Sequence, residues 1–230
     1  MKKLGKNIVI FGMAVGLVAC GGGTTTSDTQ TESNTSRNTP TTNTTNNTPT
    51  ETNTSTPSIT TSTSSDITEY LKVINNARAV EQDCGTGGIK PAVGAVVWNT
   101  KLEASAMEHT KDLATWSHGV SEAEAVKRFT HGGSGTSTDI TAKDLNLSKG
   151  STVSERIEHA GYNYQTNGEN LSAGTSIDTA VEVIQTWIDS PAHCVILMNA
   201  SFTEVGMARV EDSNAFYINY WTQNFGKPMP

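Results

Sequence analysis

The sequence is poor in charge and in rings: of 230 residues, 17% are charged and 6% aromatic. It has no basic stripe and no basic residues interleaved with aromatics, which argues against nucleic acid as a partner. No Gly-x-Ser-x-Gly turn and no His-Glu-x-x-His helix occurs, so neither a nucleophile elbow nor a helix-borne zinc site can be read from local spacing. Its one long apolar stretch, Asn7 to Val18, is too short to span a bilayer as a mature helix. Cysteine is confined to three positions, Cys20, Cys84 and Cys194.

The apolar stretch follows a basic start, Met-Lys-Lys-Leu-Gly-Lys, which is the layout of a secretory signal peptide. Its end, Leu17-Val18-Ala19-Cys20, resembles the lipobox of bacterial lipoproteins, and that resemblance implies cleavage after residue 19 and acylation of Cys20. Several acyl chains make a stable anchor where one is marginal. Gly21 after the cysteine implies, by the same resemblance, the outer membrane where the cell has one. Residues 20–65 are then nearly all Thr, Asn, Ser, Gly and Pro, with Ile59 the one apolar residue beyond the cysteine. Such a segment buries too little to offset ordering entropy and reads as a disordered tether, about 35 to 40 Å root-mean-square in span.

Residues 66–230 have the length of one compact domain. Setting aside the four basic and three acidic residues before it leaves 12 basic and 20 acidic, a net charge near −8. Helices are expected from Asp66 to about Gln82, from the cap Asn99 through Leu102, Ala106, Leu113 and Ala114, around Ala123, Val126 and Phe129, from the capping box at Thr152-Val153-Ser154-Glu155 to Gly161, and from Ser176 to Pro191. The second is expected to turn Lys101, Glu103 and Lys111 to water, and His109 beside its stripe reads as a partly buried histidine with a satisfied hydrogen bond. Glu204 to Val210 and Ala215 to Asn224 read as paired antiparallel strands, with a turn at Asp212-Ser213-Asn214. The order of elements indicates an α+β domain. Asn167 to Gly174 places Glu169 and Asn170 between glycines that allow a turn or a close approach. A carboxylate there needs partners, and an exported domain with two cysteines left over suggests that Cys84 and Cys194 form a disulfide.

In order along the chain stand Asn75-x-x-Arg78, the His109 helix, Phe129-Thr130-His131-x-Gly133-Ser134-Gly135 and Arg156 to Gly161-Tyr162. Gly168-Glu169-Asn170-Leu171, Trp187-x-x-Ser190-Pro191-x-His193, Phe202-Thr203-Glu204-Val205-Gly206 and Tyr220 to Gly226 follow. Together they resemble the CAP superfamily, also called SCP or sperm-coating-protein-like, in its bacterial secreted branch. The resemblance implies a three-layer α-β-α sandwich with a short antiparallel sheet between helices, and it supports the Cys84–Cys194 pairing. It also implies a cleft of two histidines and two acidic residues, into which Glu169 and His193 carry over. His131 matches the first histidine best, with His118 the alternative. The second acidic position falls at Ser190, one charge and one ligand short of the pattern.

Two readings of the cleft follow. In the first, Glu169 pairs with His131 and His193, raises their pKa values and locks the loops, no cofactor is required, and the domain is a non-enzymatic binding module for a lipid, glycan or protein ligand. In the second, His131, Glu169 and His193 hold a divalent metal such as zinc for a protease or esterase. Under either, the expected setting is the cell envelope, with the membrane reached through Cys20.

Overall fold

The computed structural model describes residues 63–230 and the backbone of Asn7–Ile8, all within one compact unit. The expected lipobox and its Cys20, with nearly all of the expected tether, lie outside the described residues. In chain order the elements are β1 (Asn7–Ile8), α1 (Ser64–Arg78), β2 (Gln82–Asp83), β3 (Ile89–Lys90), β4 (Val97–Trp98), α2 (Thr100–Trp116), α3 (Glu122–Arg128), α4 (Ile140–Asp144), α5 (Val153–His159), β5 (Tyr164–Gly174), α6 (Ala180–Ile188), α7 (Pro191–Leu197), β6 (Glu204–Glu211) and β7 (Asn219–Pro228). The main sheet runs β1-β5-β7-β6-β4, and β2-β3 is a separate ribbon.

Strand register sorts the side chains into two faces. Glu169, Asn224 and Gly206 pair across β5, β7 and β6, so they share a face with Leu171, Thr222 and Ala208. That face packs on α2 through Ala106, Met107, Leu113 and Ala114. A Cβ on Gly206 would collide with the backbone of Leu102 and Glu103, so glycine is what lets α2 lie this close. The opposite face, with Val205, Met207, Trp221 and Phe225, is covered by Ile74 of α1, Val183, Ile184 and Trp187 of α6, and Leu197 of α7. Helices on both faces of the sheet make the α+β, three-layer α-β-α sandwich.

Several boundaries differ from the sequence reading, each for a local reason. Thr63, not Asp66, caps α1, with Asp66 closing the capping box as its third residue; the helix stops at Arg78 rather than near Gln82. Thr179, not Ser176, caps α6, because Glu182 stands where a capping box needs it. Consequently Val181 is exposed while Ala180, Val183, Ile184 and Trp187 are buried. Pro191 opens α7 at its first position rather than merely ending α6. Glu103 is buried, its carboxylate accepting from Trp98 Nε1 at 3.0 Å. In α3, Ala125 rather than Ala123 or Val126 is the buried position. The second C-terminal strand begins at Asn219, since Ala215 to Tyr217 pack as a buried connection. Asn99, Thr152 and Gly161 stand as read: Asn99 Oδ1 accepts from the Lys101 and Leu102 amides, Thr152 and Glu155 form a capping box, and Gly161 follows the C-cap of α5 at φ 81°.

Cys84 and Cys194 form a disulfide, with Cα atoms 5.4 Å apart, that ties the turn before β3 to α7. Buried Arg78 holds the other end of α7, donating to the Leu197 carbonyl at 2.6 Å and to those of Asn199 and Phe202.

Candidate functional site

The stretch Gly168 to Gly174 is not a turn but the inner part of β5. Gly168 serves a close approach, because a Cβ there would press on the Phe202 ring. Alternation then points Glu169 toward α2 and Asn170 toward α7.

Glu169 is 4% exposed and is ringed by donors. Arg156 Nη2 donates to both of its oxygens, at 3.1 and 3.3 Å, and His131 Nδ1 donates to Oε1 at 2.9 Å. The Asn224 amide fits its neighbours with nitrogen 3.0 Å from Oε2 and oxygen toward Ser105 Oγ. Burial alone would push the Glu169 pKa up; Arg156 foremost, then His109 and the His131 hydrogen bond, reverse this and hold it at about 2. Arg156 sits on the buried side of α5, beside Ile157, and is 1% exposed. Its guanidinium also donates to the carbonyls of Ser151 and His131, so one cation fixes both the carboxylate and the loop that carries its histidine.

Carboxylates pin that loop. Asp112 on α2 accepts from the Ser134 amide at 2.7 Å and from the hydroxyls of Ser134 and Thr138; Asp139 accepts from the amides of Gly135, Ala142 and Ser151. The segment between α3 and α5 therefore contains the helix α4 and a fixed frame for His131, whose side chain is 22% exposed.

His109 has the satisfied bond expected of it, Nε2–H donating to the Thr130 carbonyl at 3.0 Å, but it is wholly buried and lies 3.9 Å from Glu169 Oε1. Burial, reinforced by the Arg156 charge, lowers its pKa to about 3, so it is neutral at physiological pH and Arg156 is the cation that balances Glu169.

His193 is the third residue of α7, the helix toward which Asn170 points. Its carbonyl accepts from Asn170 Nδ2 at 3.3 Å, and among the described residues its Nδ1 has no hydrogen-bond partner. Its pKa falls to about 4, through burial first and then through His131. The expected rise from pairing with Glu169 does not occur, because Arg156 rather than His193 partners that carboxylate. Ser190 is buried at the N-cap of α7, with an Oγ that neither caps the helix nor finds another partner among the described residues. The alternative histidine, His118, bonds Asp212 at 2.6 Å and ties the end of α2 to the β6–β7 connection. Among the described residues no group of three or more His, Cys, Asp or Glu side chains is placed to hold a metal ion.

Acid should destabilise this arrangement in two windows. A histidine whose folded pKa lies below its unfolded 6.5 gives full stability above pH 6.5 and loses it as pH falls, at about 1.4 kcal/mol per unit. From pH 6.5 to 5 this is roughly 2 kcal/mol each for His109 and His193. Glu169, depressed from 4.5 to about 2, adds its loss only below pH 4.5. Urea unfolding at pH 7 and pH 5 should show the decline, and His109→Gln should remove about half of it; an unchanged pH dependence in that variant would clear His109 of the role.

Sequence reasoning missed Arg156 as a site residue. The available signal was its place beside Ile157 on the buried side of a capped helix, where an arginine needs a counter-charge.

A protein of Bacillus subtilis (strain 168) named as uncharacterized, YkwD, is 32% identical over 71 residues, which is 31% of this chain and 25% of that protein. An extracellular protein containing an SCP domain from Bacillus anthracis superposes with a TM-score of 0.46 at 20% identity, over 71% of this chain and 40% of its own. An outer surface protein of Borrelia burgdorferi gives a TM-score of 0.44 at 19% identity, over 71% of this chain and 96% of its own. Residues 71–225 match the CAP family, described as the Cysteine-rich secretory protein family, and the chain belongs to it.

Proposed function

We propose that this chain is an exported, lipid-anchored envelope protein whose CAP domain binds a lipid, glycan or protein ligand at the cleft between His131 and His193, without hydrolysing it. The observation that carries the proposal is the state of Glu169: both oxygens are taken, and a guanidinium lies 3.1 Å away. A carboxylate so neutralised is a poor metal ligand, since a divalent ion would have to displace Arg156 or sit beside its charge in a buried site. His131, partly exposed, and His193, with an unpartnered Nδ1 among the described residues, remain as hydrogen-bonding groups suited to recognition. The lipobox at Leu17 to Cys20 and the tether up to residue 65 support display at the envelope.

The test is a panel of peptide and ester substrates offered to the purified protein at neutral pH with one equivalent of zinc. No turnover is expected. Turnover that disappears in Glu169→Gln while the unfolding midpoint is kept would overturn the reading in favour of a metal hydrolase.

A further inference from the structure

At the sheet edge far from the cleft, three elements bring two rings and a carboxylate together. Trp98 of the edge strand β4 donates its indole N–H to Glu103 Oε2 on α2 at 3.0 Å, and its ring stands 6.1 Å from that of Tyr70 on α1, tilted by 36°. Both rings are partly exposed, whereas Glu103 is 6% exposed. Its second oxygen, Oε1, has no hydrogen-bond partner among the described residues. The cation near this rim, Arg209, is committed elsewhere: it lies over the Trp221 ring and donates to Asn219 Oδ1 and to Glu211. Asp66 and Glu69 add negative charge on α1, and the Tyr70 phenol is pushed up to about 12, by burial first and then by Asp66, with Glu69 and Glu103 adding to it against Arg209.

A buried carboxylate oxygen without a donor is costly, and aromatic faces attract cations. An anion would be repelled here, a quaternary ammonium has no N–H to give, and a sugar hydroxyl leaves the charge unanswered. We propose that the Tyr70–Trp98–Glu103 rim is a second binding site, independent of the His131–His193 cleft, that takes a primary ammonium group, as carried by a polyamine or a lysine side chain.

The Trp98 indole N–H signal of the full-length protein, followed by proton–nitrogen NMR, reads the site directly. Spermidine and the peptide Gly-Lys-Gly are the two probes, with tetramethylammonium as comparator. At least one probe should shift the signal saturably and bind about tenfold more tightly than the comparator. Binding by spermidine alone assigns the site to free polyamines; binding by the peptide assigns it to lysine side chains. Glu103→Gln, which keeps an acceptor for Trp98, should weaken binding at least tenfold, while His131→Ala should leave it unchanged. Should Glu103→Gln fail to fold, Tyr70→Leu serves instead and should weaken binding several-fold. Absence of a shift with both probes, equal affinity for tetramethylammonium, or unchanged affinity in a folded Glu103→Gln or Tyr70→Leu protein would overturn the proposal.

Discussion

Replacing Arg156 by Met should cost about 3 to 5 kcal/mol and lower the thermal midpoint by roughly 10 °C, more than the loss of any exposed ion pair in the chain. The change leaves Glu169 buried at 4% exposure with its cation gone. It also removes the donors to the Ser151 and His131 carbonyls. Much of the penalty belongs to the stranded charge rather than to the contact itself. The double variant Arg156→Met, Glu169→Gln should therefore be less destabilised than the sum of the two single changes, by an interaction energy on the order of 1 to 3 kcal/mol. Additive losses measured by urea unfolding would show that the two residues do not act as a pair.

Opening the Cys84–Cys194 bond should be of similar size. The cysteines are 110 residues apart, and in the chain-entropy model a loop of that length confers about 4 to 5 kcal/mol, an upper figure because strain subtracts from it. Both cysteines are buried against Met198, so Cys84→Ser also loses packing next to His193. Reductant should lower the unfolding midpoint of the native protein and leave that of Cys84→Ser unchanged. Alkylation of both cysteines in the folded, unreduced protein would refute the bond.

The fold was largely legible because its signals are local. Asn99 and Thr152 cap helices by rules that involve residues two or three apart, and the apolar spacing of Leu102, Ala106 and Leu113 marks the buried stripe of α2 directly. At α1 the cap lies three residues before Asp66, because Thr63 supplies the acceptor and Asp66 serves as the third-position partner of the capping box. Glu103 is buried where its helical position alone turns it to water, because its partner, Trp98, lies on a strand of two residues that has no periodic signal of its own.

The site was legible only in part. Glu169 and His131 are named by their motifs, and they lie in contact; the cation that sets their chemistry is marked only by its place beside Ile157 on a capped helix, since Arg156 is 13 residues from Glu169 and is brought to it by packing α5 against the sheet. The period of two in β5 sends Glu169 toward α2 and Asn170 toward α7, so it is Asn170 that meets His193, through its backbone carbonyl, whereas a glycine-flanked loop would have allowed other pairings.

A non-hydrolytic binding cleft requires Glu169 to remain an anion balanced by Arg156. Carbon-13 NMR of the Glu169 carboxyl in the full-length protein, followed from pH 7 to pH 4 with and without one equivalent of zinc, tests this most directly. The prediction is a carboxylate signal that stays ionised throughout and does not respond to zinc, in keeping with a pKa of about 2. Titration at or above the ordinary 4.5, or a stoichiometric zinc-induced shift of Glu169 together with His131 and His193, would contradict it.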